Sequence, residues 1–160
     1  MDIGRFELTD FSVHDAVSAT FEPEMGEHIR IEFLTPIRLI KRGRMLDAAS
    51  LDFSSFVQAM IHRLQRLDAL HGAYPMQINI DAILGAARRV HESERALEWR
   101  PGERWSNRQR QQISLGGVVG AWNFTGDFSA LWPLLHAGQW THVGKETTFG
   151  LGRYRVHSLP

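Results

Sequence analysis

His142-Val143-Gly144-Lys145-Glu146-Thr147-Thr148-Phe149-Gly150-Leu151-Gly152-Arg153-Tyr154 carries the densest chemical signal in this chain. Three glycines surround Lys145, Thr147, Thr148 and Arg153. Glycine lacks a Cβ, so such a loop can take positive φ and bring its backbone close to a ligand. Successive N–H groups in that geometry form an anion-binding concavity. With two cations beside it, the loop suits a phosphate, and nucleic acid is an obvious source of phosphates. Tyr154-Arg155-Val156-His157 then alternates as a strand does. A dinucleotide fingerprint opens a helix instead, so that reading is excluded. A P-loop is excluded too: five residues, not four, separate Gly138 from Gly144, and Glu146 follows Lys145 where Ser or Thr should hold magnesium.

Working outward, the apolar run 118–124 is expected as a central strand, entered through the Gly116-Gly117 pair as a hairpin turn or bulge. Residues 127–138 read as a short helix capped by Asp127, with Pro133 awkward in its interior. The clearest helix spans 53–70, where Phe53, Phe56, Val57, Met60, Ile61, Leu64, Leu67 and Leu70 keep helical spacing. Asp52 can cap its start and Gly72 its end. Residues 28–40 read as a strand with Ile29, Ile31 and Phe33 on one face, bending near Thr35 because Pro36 removes a ladder donor. Residues 41–49 read as a basic loop, 81–90 as a second helix, 95–99 and 104–115 as strands. Weak alternation in 5–13 and 16–21 suggests further strands. The order strand, helix, strand, strand, helix, strand predicts an α+β, ferredoxin-like (split βαβ) domain, an antiparallel sheet with two helices on one face.

The final loop resembles the C-terminal glycine-rich signature of the RAMP superfamily, most closely the CRISPR-associated endoribonucleases that process precursor CRISPR RNA. That family's last segment reads roughly Gly-Lys-x-Thr-x-Phe-Gly-Leu-Gly-Arg-Tyr. It is preceded by a Gly-Gly-x-x-Gly strand, here Gly116 to Gly120, and a short helix. Leu34-Thr35-Pro36-Ile37-Arg38-Leu39 is similar to the first strand of the family's C-terminal lobe, and 53–72 to its first helix. The resemblance covers about residues 28–157 in order. It implies a domain division into 1–27, N-terminal strands or a junction to a missing N-terminal lobe, and 28–160, the C-terminal RAMP domain. It also implies repeat-RNA binding in antiviral defence and metal-independent transesterification leaving a 2′,3′-cyclic phosphate. The family's catalytic His usually lies in the N-terminal lobe, so no catalytic residue is carried over.

Composition is that of an ordinary globular chain: 43% hydrophobic and 22% charged residues are enough for a core. Net charge is zero, so an RNA site must come from local clustering. The absence of cysteine excludes disulfides, thiolate metal sites and a Cys nucleophile. No segment reads as a membrane span or signal peptide, so a cytoplasmic location is expected, with no membrane partner.

Three basic segments are candidates for RNA. The first is the loop, with Gly144, Lys145, Thr147, Thr148, Gly150, Gly152 and Arg153. The second is 100–112, where Arg104, Arg108 and Arg110 accompany Trp105; arginines can pair with phosphates and aromatic rings stack unpaired bases. A solvated edge strand is the plain alternative for it. The third is Arg38, Lys41, Arg42 and Arg44. The eight histidines offer no metal-ligand spacing, and no metal or cofactor is expected. Trp122, Trp132 and Trp140 read as structural, the last packed beside the loop. Two alternatives stay open: a non-catalytic RAMP subunit that lends an RNA-binding face to a partner chain, with homodimerisation one form of it, or a ferredoxin-like ligand- or protein-binding module unrelated to RNA.

Overall fold

The computed structural model describes residues 26–72, 78–106 and 111–159, with the backbone alone for 104–106 and 111–113. The expected N-terminal strands in 5–13 and 16–21 lie outside the described residues. Six elements make the framework: β1 (His28–Ile37), α1 (Phe53–His71), β4 (His91–Arg100), β7 (Gly117–Thr125), α3 (Trp132–Thr141) and β8 (Tyr154–Leu159). The strands form one sheet in the order β4-β7-β1-β8, every neighbouring pair antiparallel. This is the split βαβ, ferredoxin-like arrangement expected from the element order. The second helix expected at 81–90 is α2 (Ile80–Arg89), between α1 and β4, with Asn79 capping its start.

Period-2 alternation fixes which side of the sheet is buried. Ile29, Ile31 and Phe33 of β1 point to one face, with Trp122 and Phe124 of β7 and Tyr154 and Val156 of β8. Phe53, Phe56, Val57, Met60, Ile61 and Leu64 of α1 cover that face, along with Leu134 and Leu135 of α3. Asp52 caps α1, its carboxylate accepting from the Ser55 amide at 2.8 Å. The apolar stripe of α1 runs past its cover: Leu70 is 76% exposed. Arg95 of β4 stands on the core side opposite Trp122, its guanidinium 4.9 Å from the indole centroid. It donates to Glu92, to the Ala48 carbonyl and to the Leu51 carbonyl, tying β4 to the loop before α1. Its hydrogen bond holds the Glu92 carboxyl below the usual carboxylate range.

The Tyr154 hydroxyl donates to the Leu135 carbonyl at 2.5 Å and lies 3.0 Å from the Met60 sulfur. Burial pushes its pKa well up, so it remains a neutral donor joining β8 to α3 and α1. Tyr154→Phe keeps the ring and removes only this bond. The expected loss is about 1–2 kcal/mol, read as a lower urea midpoint at unchanged m-value; an unchanged midpoint would refute the tie.

Several local expectations are corrected. The 41–49 loop holds a hairpin, β2 (Ile40–Lys41) with β3 (Arg44–Met45). Residues 104–115 are not one strand: β5 (Glu103–Ser106) pairs with β6 (Gln111–Ser114), so Gly116-Gly117 leads into β7 and is not the turn. Asp127 does not cap α3 but accepts from Ser129 at 2.9 Å. Helix α3 begins at Trp132, which puts Pro133 in the first turn, where its missing N–H and fixed φ are tolerated.

Candidate nucleic-acid interface

Pro36 decides where the glycine-rich loop docks. The β1–β7 register shifts between Phe33 and Ile37, because proline cannot donate to the ladder. That leaves the backbone groups of 34–38 to be satisfied elsewhere, and the loop takes them. The Leu34 and Thr35 amides donate to the Arg153 carbonyl at 2.9 and 3.2 Å, the Gly152 amide to the Pro36 carbonyl at 3.0 Å, and the Lys145 amide to the Arg38 carbonyl at 2.9 Å. The Arg153 amide donates to the Thr35 hydroxyl at 2.9 Å, and Gly144 forms a parallel bridge with Arg38.

This docking needs two of the glycines. Gly144 has φ +95° and a Cβ there would lie 2.4 Å from the Arg38 carbonyl oxygen; Gly152 has φ +78° and a Cβ would lie 2.0 Å from that of Val143. Within the loop, Thr147–Phe149 forms a short 3-10 turn. The amides of Val143, Lys145, Phe149, Gly150, Leu151, Gly152 and Arg153 all donate within the chain. These seven amides serve the loop's docking and its turn, and the amides of Gly144, Glu146, Thr147 and Thr148 are not among them. Lys145, Thr148 and Arg153 are exposed and Thr147 half-buried. Neither Lys145 nor Arg153 forms an ion pair among the described residues.

Arg38 joins the loop to a second segment. Its backbone carries Gly144 and Lys145, while its guanidinium donates to the Gly116 carbonyl. Gly116 stands where the β5–β6 hairpin returns to the sheet, with the Leu115 amide on the Gly102 carbonyl at 2.7 Å. Sheet register puts these features at one end: Arg100 pairs with Gly117, Ile37 with Val118, and Phe33 with Tyr154. Arg104 lies on β5 at this end, in a part where the backbone alone is described. Arg108 and Arg110 lie outside the described residues. Trp140 does not pack beside the loop as expected: it is 80% exposed on the last turn of α3. Trp122 is fully buried and Trp132 packs against the core, as expected. Sequence reasoning missed Arg38 as the joint, although the break at Pro36 was a signal that this backbone would need partners.

Fold and site together define a ferredoxin-like α+β domain of RAMP type, with its glycine-rich loop docked on a broken first strand. The profile of the family described as CRISPR-associated endoribonuclease Cas6 matches residues 31–154, and the chain belongs to that family. No curated protein matches the sequence. Among solved structures, Thermus thermophilus Cas6 (TTHB231) is 17% identical with a TM-score of 0.65, over 91% of this chain and 58% of that one. A Cas6 (TTHA0078) product complex is 19% identical with a TM-score of 0.57, over 92% and 58%. A partial Cas6-RT-Cas1–Cas2 complex matches at 15% identity and TM-score 0.64, over 98% of this chain and 28% of that one. The chain thus spans less than two thirds of the length of the Cas6 structures it matches.

Proposed function

We propose that residues 28–160 are the C-terminal, RNA-binding domain of a CRISPR RNA-processing endoribonuclease, and that its ligand is CRISPR-repeat RNA in the cytoplasm. The observation that carries this reading is the convergence on Arg38. One residue fixes both the glycine-rich loop and the root of the β5–β6 hairpin at a single end of the sheet. There Lys145 and Arg153 stand exposed and Arg104 belongs to the adjoining hairpin. Contacts of this kind go to phosphates, which position RNA without reading its sequence. Thr147 and Thr148 add hydroxyl donors, and Gly144, Gly150 and Gly152 shape the loop.

Cleavage of the proposed type needs a base for the 2′-hydroxyl and an acid for the leaving 5′-oxygen. We assign neither to the described residues, and place that machinery in an N-terminal lobe or another CRISPR subunit. His142 is no exception: its Nδ1 is 3.1 Å from the Leu151 carbonyl, which gives that ring a role in the loop's own structure.

Lys145→Ala and Arg153→Ala should each weaken repeat-RNA binding about tenfold, the worth of one charge-assisted hydrogen bond, at unchanged melting temperature. Filter binding with radiolabelled repeat hairpin in EDTA reads affinity and cleavage together. Wild-type affinity in both variants would sink the assignment of the loop.

A further inference from the structure

The β2–β3 hairpin is not used by the loop or by the β5–β6 hairpin, and its chemistry is unusual. Two residues, Arg42 and Gly43, connect its strands, with φ of 50° and 79°. Two-residue turns with both φ positive strongly favour Asn-Gly, because a residue with a Cβ and no short polar side chain is strained in the first position. This chain holds arginine there. The hairpin is otherwise firmly seated. Leu39 and Leu46 at its base are buried in the core, and the Leu46 amide donates to the Leu39 carbonyl at 2.8 Å. Lys41 is bound to Asp52, the cap of α1, at 2.7 Å. The Arg42 and Arg44 side chains are exposed and form no ion pair among the described residues. The hairpin begins two residues after Arg38, so it leaves the sheet at the same joint as the glycine-rich loop.

We infer that this hairpin is a third, preorganised RNA arm, in which Arg42 and Arg44 contact backbone phosphates beside those held by Lys145 and Arg153. The inference rests on the RNA-binding reading above. A rigid arm suits arginine, whose planar fork loses little freedom when it pairs with phosphate. A strained cation kept at a turn tip, where Asn would fit better, is a place where local stability yields to binding.

The test is the salt dependence of binding of fluorescein-labelled CRISPR-repeat RNA to the full chain across a potassium chloride series. The variants are R42N/R44Q and, as a control, R88Q/R89Q. The control removes the same charge from the last turn of α2, which leads into His91 at the opposite end of β4. Each phosphate contact on single-stranded RNA contributes about 0.7 to the log–log slope. R42N/R44Q should therefore flatten the slope by about 1.4, while the control keeps the wild-type slope. R42N alone should lower affinity while holding or raising the melting temperature, which loss of a structural residue would not do. A wild-type slope in R42N/R44Q, with Lys145→Ala still weakening binding, would overturn the arm and leave the RNA site standing. Equal flattening in both double variants would overturn it in favour of a diffuse field. A wild-type protein with no salt-dependent RNA affinity would overturn both readings.

Discussion

Trp122→Ala should cost about 4 kcal/mol, within the range for emptying a buried aromatic site. Trp122 is fully buried on β7, between β1 and β4 in the sheet. Its ring centroid lies 4.6 Å from that of Phe124, 6.3 Å from Phe33 and 6.4 Å from Phe53. The Arg95 guanidinium also stands over the indole, 4.9 Å from its centroid. Truncation would open a cavity at the junction of sheet and α1 and leave Arg95 without its ring. Domains have only about 5–15 kcal/mol of stability in all, so the variant should be largely unfolded in moderate urea. Trp122→Phe keeps an aromatic in contact with its neighbours and should lose about half as much. A urea midpoint for Trp122→Ala equivalent to a loss under about 1 kcal/mol would show that the site collapses freely.

Gly152→Ala should be nearly as damaging, and in a different way. A left-handed conformation costs a residue with a Cβ about 1–2 kcal/mol. The new methyl must also clear the Val143 carbonyl oxygen, 2.0 Å from its ideal position, and overpacking of that kind adds about 1–3 kcal/mol. A total near 3 kcal/mol is expected. The Gly152 amide bond to Pro36 would be lost with it, so RNA affinity should fall as the loop lifts from β1. Gly150→Ala separates the two terms. Gly150 also has positive φ, +83°, but a Cβ there has open space. It should cost about 1 kcal/mol and leave RNA binding near wild type. Equal losses in the two variants, measured by thermal melting, would mean that the clash at Val143 is relieved at no cost.

The parts legible in the sequence were those where one face is apolar and the other is not. The buried positions from Phe53 to Leu64 and the alternation of Ile29, Ile31 and Phe33 report burial directly. The loop was legible for another reason: Gly144 and Gly152 stand where no other residue fits. Helix α3 misled because Trp132, Leu134, Leu135 and Trp140 leave no polar face to show which side is turned outward. The β2–β3 turn was hidden because arginine stands where asparagine would have announced it. The polar strands β5 and β6 have no apolar side to mark their break. Pro36 signalled that the backbone near Arg38 needs partners but not which ones, since Gly116 is 78 positions away and only the completed sheet brings the two together.

The same distances govern when the site exists. Arg153 reaches Thr35 across 118 positions, and among the described residues β1 pairs with β7 and β8. β1 and α1 are made before β7 and β8, so the edges of β1 that those two strands cover wait for them. Contacts of such long range form slowly, and exposed edges invite wrong pairing in the meantime. The loop has no seat until β1 is broken at Pro36 against β7, and β8 must follow it to hold it there. A chain in which β8 has not yet joined β1 therefore has the basic residues but not the surface that aligns them, and the RNA capture proposed for this end of the sheet is reserved for the assembled sheet.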